Sequence, residues 1–391
     1  MRNILRTVMK LIALLLLFIL IISVSLPIIY IYYRTRDATA KAEFFFGVSY
    51  GQDTVAEAKM LIDKVKSYTN MFLINSWNIT TNETALNEVC DYAAKADLNF
   101  MVFFSFVSRV IYSWHQTWLD TAKERWGDKF LGVYLFDEPG GNQIDTGGWN
   151  EEMVQVFKNA SDYSDAANLF VNSISSINST IDVKERGIPM FTSDYALYWF
   201  DYLAGYDTVF VELGWNHNTT KHIALGRGAA NVQGKDWGAI ITWTYYEPPY
   251  LASGPEILEE MLAAYSAGAK YVIVFNYPIY PEENPYGILT EQHFVAMQQF
   301  WTYIQNHPEQ HGTAFGQVAF VLPKDYGWGM RNVEDKIWGL WLADEKASLI
   351  WGNVNKLIAK YGLRLDIIYD DVRFNYKGKY SEVYFWNSTI N

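Results

Sequence analysis

The feature that most constrains the fold is a repeated alternation of strand-like and helix-like segments between residues 44 and 306. Short apolar runs rich in β-branched and aromatic residues predict strands. Most of these runs are followed by a segment whose apolar residues recur at helical spacing. The alternation yields eight predicted strands: Phe44–Gly51, Met71–Trp77, Phe100–Phe106, Leu131–Glu138, Ile188–Asp194, Thr208–Trp215, Trp237–Tyr245 and Lys270–Tyr277. Eight strands that alternate with helices predict an α/β fold of the (β/α)8 barrel class.

Segments with helical spacing of their apolar residues separate most of these strands. They predict helices over Val55–Tyr68, Glu83–Ala96, Ser113–Trp126, Glu151–Ser176, Thr219–Gln233, Pro255–Gly268 and Thr290–Asn306. An open doubly wound sheet is the alternative, but the stretch 47–51 does not match the G-x-G-x-x-G pattern of that fold. We expect a barrel domain over 42–312. A new strand–helix–strand order then predicts a small α/β module over 313–391.

The N-terminal stretch predicts a membrane anchor. Leu11–Tyr33 is free of charged residues, and at about 1.5 Å per residue it is long enough to cross a hydrocarbon core of about 30 Å. Arg2, Arg6 and Lys10 precede it, which favours a cytoplasmic N-terminus. We therefore expect residues 1–41 to comprise a cytoplasmic stub, a single transmembrane signal anchor and a tether, with a cleaved signal peptide as the alternative.

The anchor predicts a location at the cell membrane with the bulk of the chain outside the cytoplasm. Sequons for N-glycosylation agree with export, and they lie at Asn78, Asn82, Asn159, Asn178, Asn218 and Asn387. The net charge of −12 argues against a nucleic-acid partner. Aromatic residues make up 17% of the chain, a composition that suits a carbohydrate-facing protein because flat rings stack on sugar faces. The oligomeric state has no sequence signature.

The fourth predicted strand ends in two adjacent acids, Asp137 and Glu138. Side chains alternate along a strand, so Tyr134, Phe136 and Glu138 are expected to face the barrel interior if Val133 and Leu135 face the helices. Chemistry in barrel enzymes lies at the carboxyl ends of the strands. Glu138 is therefore the first candidate for a catalytic acid, and Asp137 is expected to support it or to contact a ligand.

Three further acids lie at other strand ends. Glu212 stands inside a valine-rich strand with predicted inward parity, and Glu247 follows strand seven in an aromatic loop. Asp194 ends strand five, where Thr192 and Asp194 are the expected inward residues. Glycoside hydrolysis needs two carboxyl groups that flank one bond. We expect Glu138 to be one of them and leave Glu212 and Glu247 as alternatives for the other.

Large rings and an amide cluster at the same predicted rim. The candidate substrate-binding residues are Asp137, Asp194, Trp77, Trp215, Trp243, Tyr245, Tyr246 and Asn276. The six histidines form no H-E-x-x-H motif, and the single cysteine, Cys90, lies in an amphipathic helical segment. We therefore expect neither a catalytic metal nor another cofactor.

This arrangement resembles the large superfamily of (β/α)8 glycoside hydrolases over residues 44 to about 306. In the clan most like it, an acid/base glutamate follows strand four and a nucleophilic glutamate follows strand seven, and these positions match Glu138 and Glu247. The clan usually has asparagine before the strand-four acid, where this sequence has Asp137. The resemblance implies a glycosidase with a carbohydrate substrate. The alternative function is a non-catalytic glycan-binding or cell-envelope scaffold protein on a barrel frame.

Overall fold

The protein contains a closed barrel of eight parallel strands. The computed structural model describes residues 43–104, 113–148, 154–278 and 284–390. Each barrel strand pairs with the next one in the sequence, and β8 pairs with β1 to close the barrel. The strands are β1 (Phe45–Tyr50), β2 (Met71–Ile74), β3 (Asn99–Phe104), β4 (Phe130–Leu135), β5 (Met190–Asp194), β6 (Thr208–Leu213), β7 (Asp236–Ile241) and β8 (Tyr271–Val274). The predicted barrel class is confirmed.

Helices lie between these strands and after them in the described ranges. They are α1 (Val55–Val65), α2 (Trp77–Thr80), α3 (Glu83–Lys95), α4 (Trp114–Trp126), α5 (Pro139–Thr146), α6 (Val154–Lys158), α7 (Tyr163–Ser175), α8 (Asn178–Glu185), α9 (Tyr198–Ala204), α10 (Thr219–Gln233), α11 (Gly254–Ser266), α12 (Glu291–Asn306) and α13 (Glu345–Tyr361). Local capping fixes several of their starts. Thr54, for example, forms a capping box with Glu57 at the start of α1.

Aromatic side chains fill the barrel interior. The ring of Phe210 on β6 stacks on Tyr134 and Phe191, with centroids 6.2 and 5.7 Å apart. Tyr271 on β8 packs edge-on against the same ring at 5.8 Å. The whole inward set of this cluster is Phe45, Met71, Leu73, Met101, Tyr134, Phe191, Phe210, Ile240, Tyr271 and Ile273. This packed core closes the barrel below its rim and fixes which residues of each strand point inward.

The glycine-rich stretch after β4 differs from its prediction. Pro139-Gly140-Gly141 is expected to disfavour regular structure, yet Pro139 begins α5. Proline suits the first helical position because that position needs no N–H donor. The N–H groups of Gly140 and Gly141 donate to the Asp194 carboxylate, at 2.5 and 2.8 Å. The Asp194 carboxylate therefore caps this helix from a distant part of the sequence, so the residues next to Pro139 do not by themselves predict the helix.

The long helix predicted over Glu151–Ser176 is also different. Residues 149–153 lie outside the described ranges, and the remainder forms α6 and then α7. Asp162 separates these two helices, since its backbone is extended and its side chain accepts from the N–H of Asp165 as the N-cap of α7.

A second, three-stranded parallel sheet follows the barrel. Its strands are β9 (Val318–Leu322), β10 (Leu365–Tyr369) and β11 (Glu382–Phe385), in the order β10-β9-β11. β9 and β10 are buried throughout, while β11 is an exposed edge strand. This sheet lies within the predicted C-terminal module, and the boundary between 312 and 313 stays a prediction.

Helix α10 joins the second sheet to the barrel. A Cβ atom at Gly226 would come within 2.2 Å of the Val211 side chain, and one at Gly228 within 2.5 Å of the Ile367 carbonyl oxygen. Both glycines are thus needed for close approach to β6 on one side and β10 on the other. Between them, the Arg227 guanidinium donates to Asp366 of β10 at 2.7 Å, and both side chains are buried.

The predicted N-terminal anchor lies outside the described residues, so Leu11–Tyr33 is not part of this description. Apart from Glu43 and Phe44, the described residues belong to one compact unit, Phe45–Asn391. Within the described ranges, no helix has both the length and the apolar character that a bilayer crossing requires.

Candidate active site

Glu138 lies directly beyond the carboxyl end of β4, where the strand alternation breaks. Phe136 and Glu138 both have left-handed backbones, with φ of 61° and 49°, a conformation that non-glycine residues hold only when their surroundings impose it. Hydrogen bonds impose it here. The Glu138 N–H donates to the Ser193 carbonyl at 3.1 Å, and the Asn142 side chain donates to the Glu138 carbonyl at 2.8 Å.

Glu212 faces Glu138 from β6. Its side chain is 3% exposed, and it follows the inward-facing Phe210 at the spacing that the sequence predicted. Ser193 Oγ donates to one carboxyl oxygen at 2.6 Å, and Trp215 Nε1 donates to the other at 3.2 Å. The carboxyl groups of Glu138 and Glu212 are close enough that each shifts the pKa of the other. Two ionised carboxylates at close range repel each other, so we expect the pair to hold one proton.

The surroundings assign that proton to Glu138. Burial raises the pKa of Glu138, and the neighbouring charges of Glu212 and Asp137 raise it further. Burial also raises the pKa of Glu212, and Asp137 adds to this, but the hydrogen bond from Ser193 lowers it again. Two carboxyl groups whose environments push their pKa values apart are the usual arrangement of an acid and its partner base or nucleophile.

Asp137 directly precedes Glu138 and is exposed to solvent. The Tyr134 hydroxyl donates to its carboxylate. Although the side chain reaches solvent, the protein around the carboxyl group desolvates it, and this raises the pKa of Asp137. The charge of Asp137 in turn raises the pKa values of Glu138 and Glu212.

Asp194 supports the Glu138 loop from below. Besides Gly140 and Gly141, the N–H groups of Tyr195 and Ala196 donate to its carboxylate, at 2.8 and 3.0 Å. Burial raises the pKa of Asp194 to about 7, and these backbone donors oppose the rise. The side chain is fully buried, so its contacts are with the protein backbone that carries Glu138.

The inward residues of β5 differ from the prediction. Thr192 and Asp194 were expected inward, but Phe191 belongs to the barrel core and Ser193 contacts Glu212. Asp194 therefore points away from the barrel axis. There it lies close to Asp201 of α9, a fully buried residue whose pKa is raised well above the ordinary carboxyl range by burial and by the nearby charge of Asp194.

Glu247 lies apart from this pair. It is exposed on the loop after β7, and no contact in the described part of the chain joins its carboxylate to Glu138 or Glu212. Of the two alternatives that the sequence left open, the structure brings Glu212 to Glu138.

Aromatic rings stand beside Glu212 on the loops after β6 and β7. The Trp215 ring lies 5.3 Å from Tyr246 and 6.5 Å from Trp243. Tyr246 is 87% exposed and Tyr245 is 40% exposed. Trp77, at the start of α2, is also exposed. These rings give the rim flat apolar surfaces beside a carboxyl pair.

Asn276, after β8, is fully buried, and its side-chain amide has no hydrogen-bond partner among the described residues. In the described ranges, no group of three or more histidine, cysteine or acidic residues is arranged to hold a metal ion. The side chains that contact one another at the candidate site carry carboxyl groups, hydroxyls and aromatic rings.

Sequence reasoning missed contacts that position the site. Tyr134 was expected to face inward, but its contact with Asp137 was not predicted. Ser193 contacts Glu212, and the inward position of Phe191 two residues earlier could have identified it. Arg331, which follows β9, pairs with Asp145 of α5 at 2.8 Å. No sequence pattern connects Arg331 to α5, because the two lie far apart in the chain.

A separate cavity of about 510 Å³ adjoins the loop after β6. Neither Glu138 nor Glu212 lines it. Its lining is mixed in polarity and consists of Gly214, Asn216, His217, Thr219, Thr220, Thr244, Ala252, Glu256, Glu259, Glu260 and Ala263. We place the candidate chemistry at Glu138 and Glu212, because these two acids lie at the carboxyl end of the barrel and shift each other's pKa.

Comparisons with known proteins find enzymes among the solved structures that resemble this chain. No family model matches the sequence, and a search of curated proteins finds no match. Among solved structures, an α-L-fucosidase isoenzyme 2 from Paenibacillus thiaminolyticus overlaps 83% of this chain at 13% identity and a TM-score of 0.48. This chain covers 57% of that fucosidase chain.

Two other solved structures illustrate the range of enzymes in these comparisons. The pneumococcal virulence factor StrH, studied for N-glycan recognition and hydrolysis, has a TM-score of 0.41 at 10% identity, with 68% of this chain and 84% of that chain covered. A truncated 3-deoxy-D-arabino-heptulosonate 7-phosphate synthase from Thermotoga maritima has a TM-score of 0.39 at 8% identity, with 68% and 88% covered. Since glycosidases and a synthase both appear, the chemistry has to be argued from the site.

The buried acids predict that the protein loses stability as the pH rises. Asp194 has a folded pKa of about 7, above the unfolded value of about 3.9. Its contribution is complete below about pH 4 and is lost as the pH rises through about 7. Melting temperatures measured from pH 5 to pH 8 should therefore fall.

Asp201→Asn tests this local origin. The amide replaces the protonated carboxyl group that contacts Asp194, so the fall in melting temperature should become shallower. Asp128→Asn, at an exposed position, is the matched control and should keep the full slope. A melting temperature that rises from pH 5 to pH 8 in the wild type would contradict the prediction.

Proposed function

We propose that the protein is a glycoside hydrolase in which Glu138 and Glu212 cleave a glycosidic bond. The observation that carries this proposal is the placement of these two carboxyl groups side by side at the carboxyl end of the barrel, where each shifts the pKa of the other. One group holds a proton and the other holds a charge. This division is what an acid-catalysed displacement at an anomeric carbon requires.

Glu138 is the proposed acid/base, and Glu212 is the proposed nucleophile. Glu138 would give its proton to the glycosidic oxygen while the Glu212 carboxylate forms a bond to the anomeric carbon and the glycosidic bond breaks. Glu138, now ionised, would take a proton from water as that water attacks the anomeric carbon. The bond to Glu212 then breaks, and both groups return to their starting states.

The hydrogen bonds to Glu212 favour this retaining route. Ser193 Oγ and Trp215 Nε1 each donate to its carboxyl group, and two donors stabilise the charged form that a nucleophile needs. Retaining enzymes hold their carboxyl groups about 5–5.5 Å apart, and inverting enzymes hold them about 6.5–9.5 Å apart to admit water.

The exposed rings supply proposed sugar subsites. Trp215, Trp243 and Tyr246 form a connected group next to Glu212, and Tyr245 and Trp77 extend the apolar surface of the rim. Stacking on such rings binds a sugar face without fixing its identity. Exposed Asp137 is the proposed hydrogen-bonding residue, whereas the buried Asp194 and Asn276 would shape the site from beneath.

A second candidate function is non-catalytic glycan binding, which the exposure of Tyr246 favours. Binding and hydrolysis are separated by incubating the full-length protein, purified in detergent, with chromogenic glycosides and cell-surface polysaccharides. Hydrolysis with a product of unchanged anomeric configuration, observed by proton NMR, is expected. Retardation by a polysaccharide in affinity electrophoresis without any cleavage would instead support the binding function.

We also propose that the protein is held at the cell membrane through Leu11–Tyr33, with the barrel and the C-terminal module outside the cytoplasm. The asparagines of all six sequons are exposed in the described structure, which suits attached glycans. Sedimentation with membranes after a salt wash, together with protease accessibility in intact cells, tests this location. Release of the protein by salt alone would contradict it.

A further inference from the structure

A chain of buried hydroxyl groups joins Glu212 to Asp137. Ser193 Oγ lies 2.6 Å from a Glu212 carboxyl oxygen and 2.8 Å from the Tyr134 hydroxyl. The Tyr134 hydroxyl in turn contacts the Asp137 carboxyl group. Tyr134 is 1% exposed and Ser193 is 3% exposed, so neither hydroxyl exchanges hydrogen bonds freely with bulk water. These hydrogen bonds therefore link the exposed Asp137 to the buried Glu212 through the protein interior.

We propose that Asp137, Tyr134 and Ser193 form a proton relay that connects Glu212 to solvent and sets its charge. This inference rests on the proposed function, because it describes how the nucleophile of the pair is kept ionised. A glycan in the cleft would cover Glu138 and Glu212 from above. The relay reaches Glu212 from the side of β4 and β5, through hydroxyl groups of residues that are themselves buried.

The proton balance of the relay closes. A proton on Asp137 passes to the Tyr134 oxygen, the Tyr134 proton passes to Ser193 Oγ, and the Ser193 proton passes to Glu212. Each hydroxyl group ends with one proton, and the net result is the transfer of one proton from Asp137 to Glu212. The reverse sequence removes a proton from Glu212 to solvent. No co-reactant is needed, because hydroxyl groups both donate and accept.

The backbone holds this chain in place. The Ser193 N–H donates to the Tyr134 hydroxyl at 3.1 Å, so the tyrosine oxygen is tied to β5 as well as to Asp137. Tyr134 also stacks on Phe210 inside the barrel. Among the described residues, the carboxyl groups that interact with Glu212 are Glu138 and Asp137 from the end of β4 and Asp194 from β5. The phenol groups that do so are Tyr134 of β4 and Tyr198 of α9. Glu138, Asp194 and Tyr198 are not members of the relay.

The relay predicts that Tyr134→Phe changes the titration of Glu212 and Asp137. Without the hydroxyl donor, Asp137 should take up its proton at a higher pH, and its weaker charge should let Glu212 ionise at a lower pH. Carbon-13 NMR of the labelled carboxyl groups measures both titrations. We expect the midpoint of each to shift by at least about 0.5 pH unit. Asp128→Asn, exposed and remote from the chain, is the control.

A double-mutant cycle separates a relay from simple packing. Asp137→Asn and Tyr134→Phe should each shift the Glu212 titration, and the double variant should shift it no further than the larger single effect, since residues in one network are not additive. Unchanged titration of Glu212 in Tyr134→Phe, or strictly additive shifts, would overturn the relay. Circular dichroism confirms that each variant is folded, and Ser193→Ala provides a second break in the chain.

Activity then distinguishes the relay from the proposed function. If the wild type hydrolyses a glycan, the acid limb of the pH profile of kcat/KM should move in Tyr134→Phe. An even loss of activity at all pH values would overturn the relay and leave the hydrolase intact. If the wild type hydrolyses nothing while the NMR titrations shift as described, the relay stands and the proposed function falls.

Discussion

Glu138→Gln is expected to lower the turnover of a glycoside substrate by about 10²–10⁴-fold, which is the usual contribution of a positioned general acid. Glutamine has the shape of the protonated carboxyl group and cannot give its proton to the leaving oxygen. Because Glu138 is already held in its neutral form, the melting temperature should stay nearly unchanged. Initial rates and thermal melts on the same preparations provide the measurement.

Glu247→Gln is the matched control for this prediction. Glu247 is also a glutamate after a barrel strand, but it is exposed and lies apart from the carboxyl pair. Its replacement should leave the rate within about twofold of the wild type, by the argument that exposed groups without specific contacts contribute little. A large loss of activity in Glu247→Gln, with full activity in Glu212→Gln, would reassign the nucleophile to the loop after β7.

Arg227→Met is expected to destabilise the folded protein by about 3–5 kcal/mol, because it leaves a buried carboxylate without its positively charged partner. Asp366 is fully buried, and Arg227 donates to it at 2.7 Å. The guanidinium also donates to the carbonyl groups of Ala314 and Leu365, at 2.7 and 3.0 Å. These acceptors join α10 to the second sheet, so their loss should weaken the contact between barrel and sheet.

Urea unfolding followed by tryptophan fluorescence measures this loss. Lys235→Met is the matched control, because Lys235 pairs with Asp207 at 2.8 Å on the surface with both side chains partly exposed. An exposed pair is worth about 0–1 kcal/mol, so this variant should unfold almost as the wild type does. Equal free energies of unfolding for Arg227→Met and Lys235→Met would show that the buried pair does not hold the two sheets together.

The barrel was predictable because short sequence patterns indicate each of its strands. Each buried strand is a short apolar run with turn or helix signals beside it, and few known architectures contain eight such strands alternating with helices. The inward position of Glu212 followed from the same alternation, since Val209, Val211 and Leu213 needed a common apolar face. Strand ends were less predictable, and β4 ends at Leu135 rather than at Glu138 because left-handed backbones interrupt the alternation.

The residues that position the site depend on contacts between distant segments. Asp194 caps α5 across more than fifty residues, and this contact moves it away from the barrel axis and brings Ser193 inward. Arg331 reaches α5 from the second sheet. Neither contact leaves a periodic pattern in the sequence. Local spacing could identify candidate acids, whereas their pairing required the folded barrel.

The most direct test of the carboxyl pair is the release of oligosaccharides from a polysaccharide that the protein binds. The full-length wild type and the double variant Glu138→Gln/Glu212→Gln should be compared on the same polysaccharide, with binding followed by affinity electrophoresis and products by mass spectrometry. The predicted result is equal retardation of both proteins, with shorter oligosaccharides released by the wild type alone. Retardation of both without products, or equal product release by both, would contradict catalysis by Glu138 and Glu212.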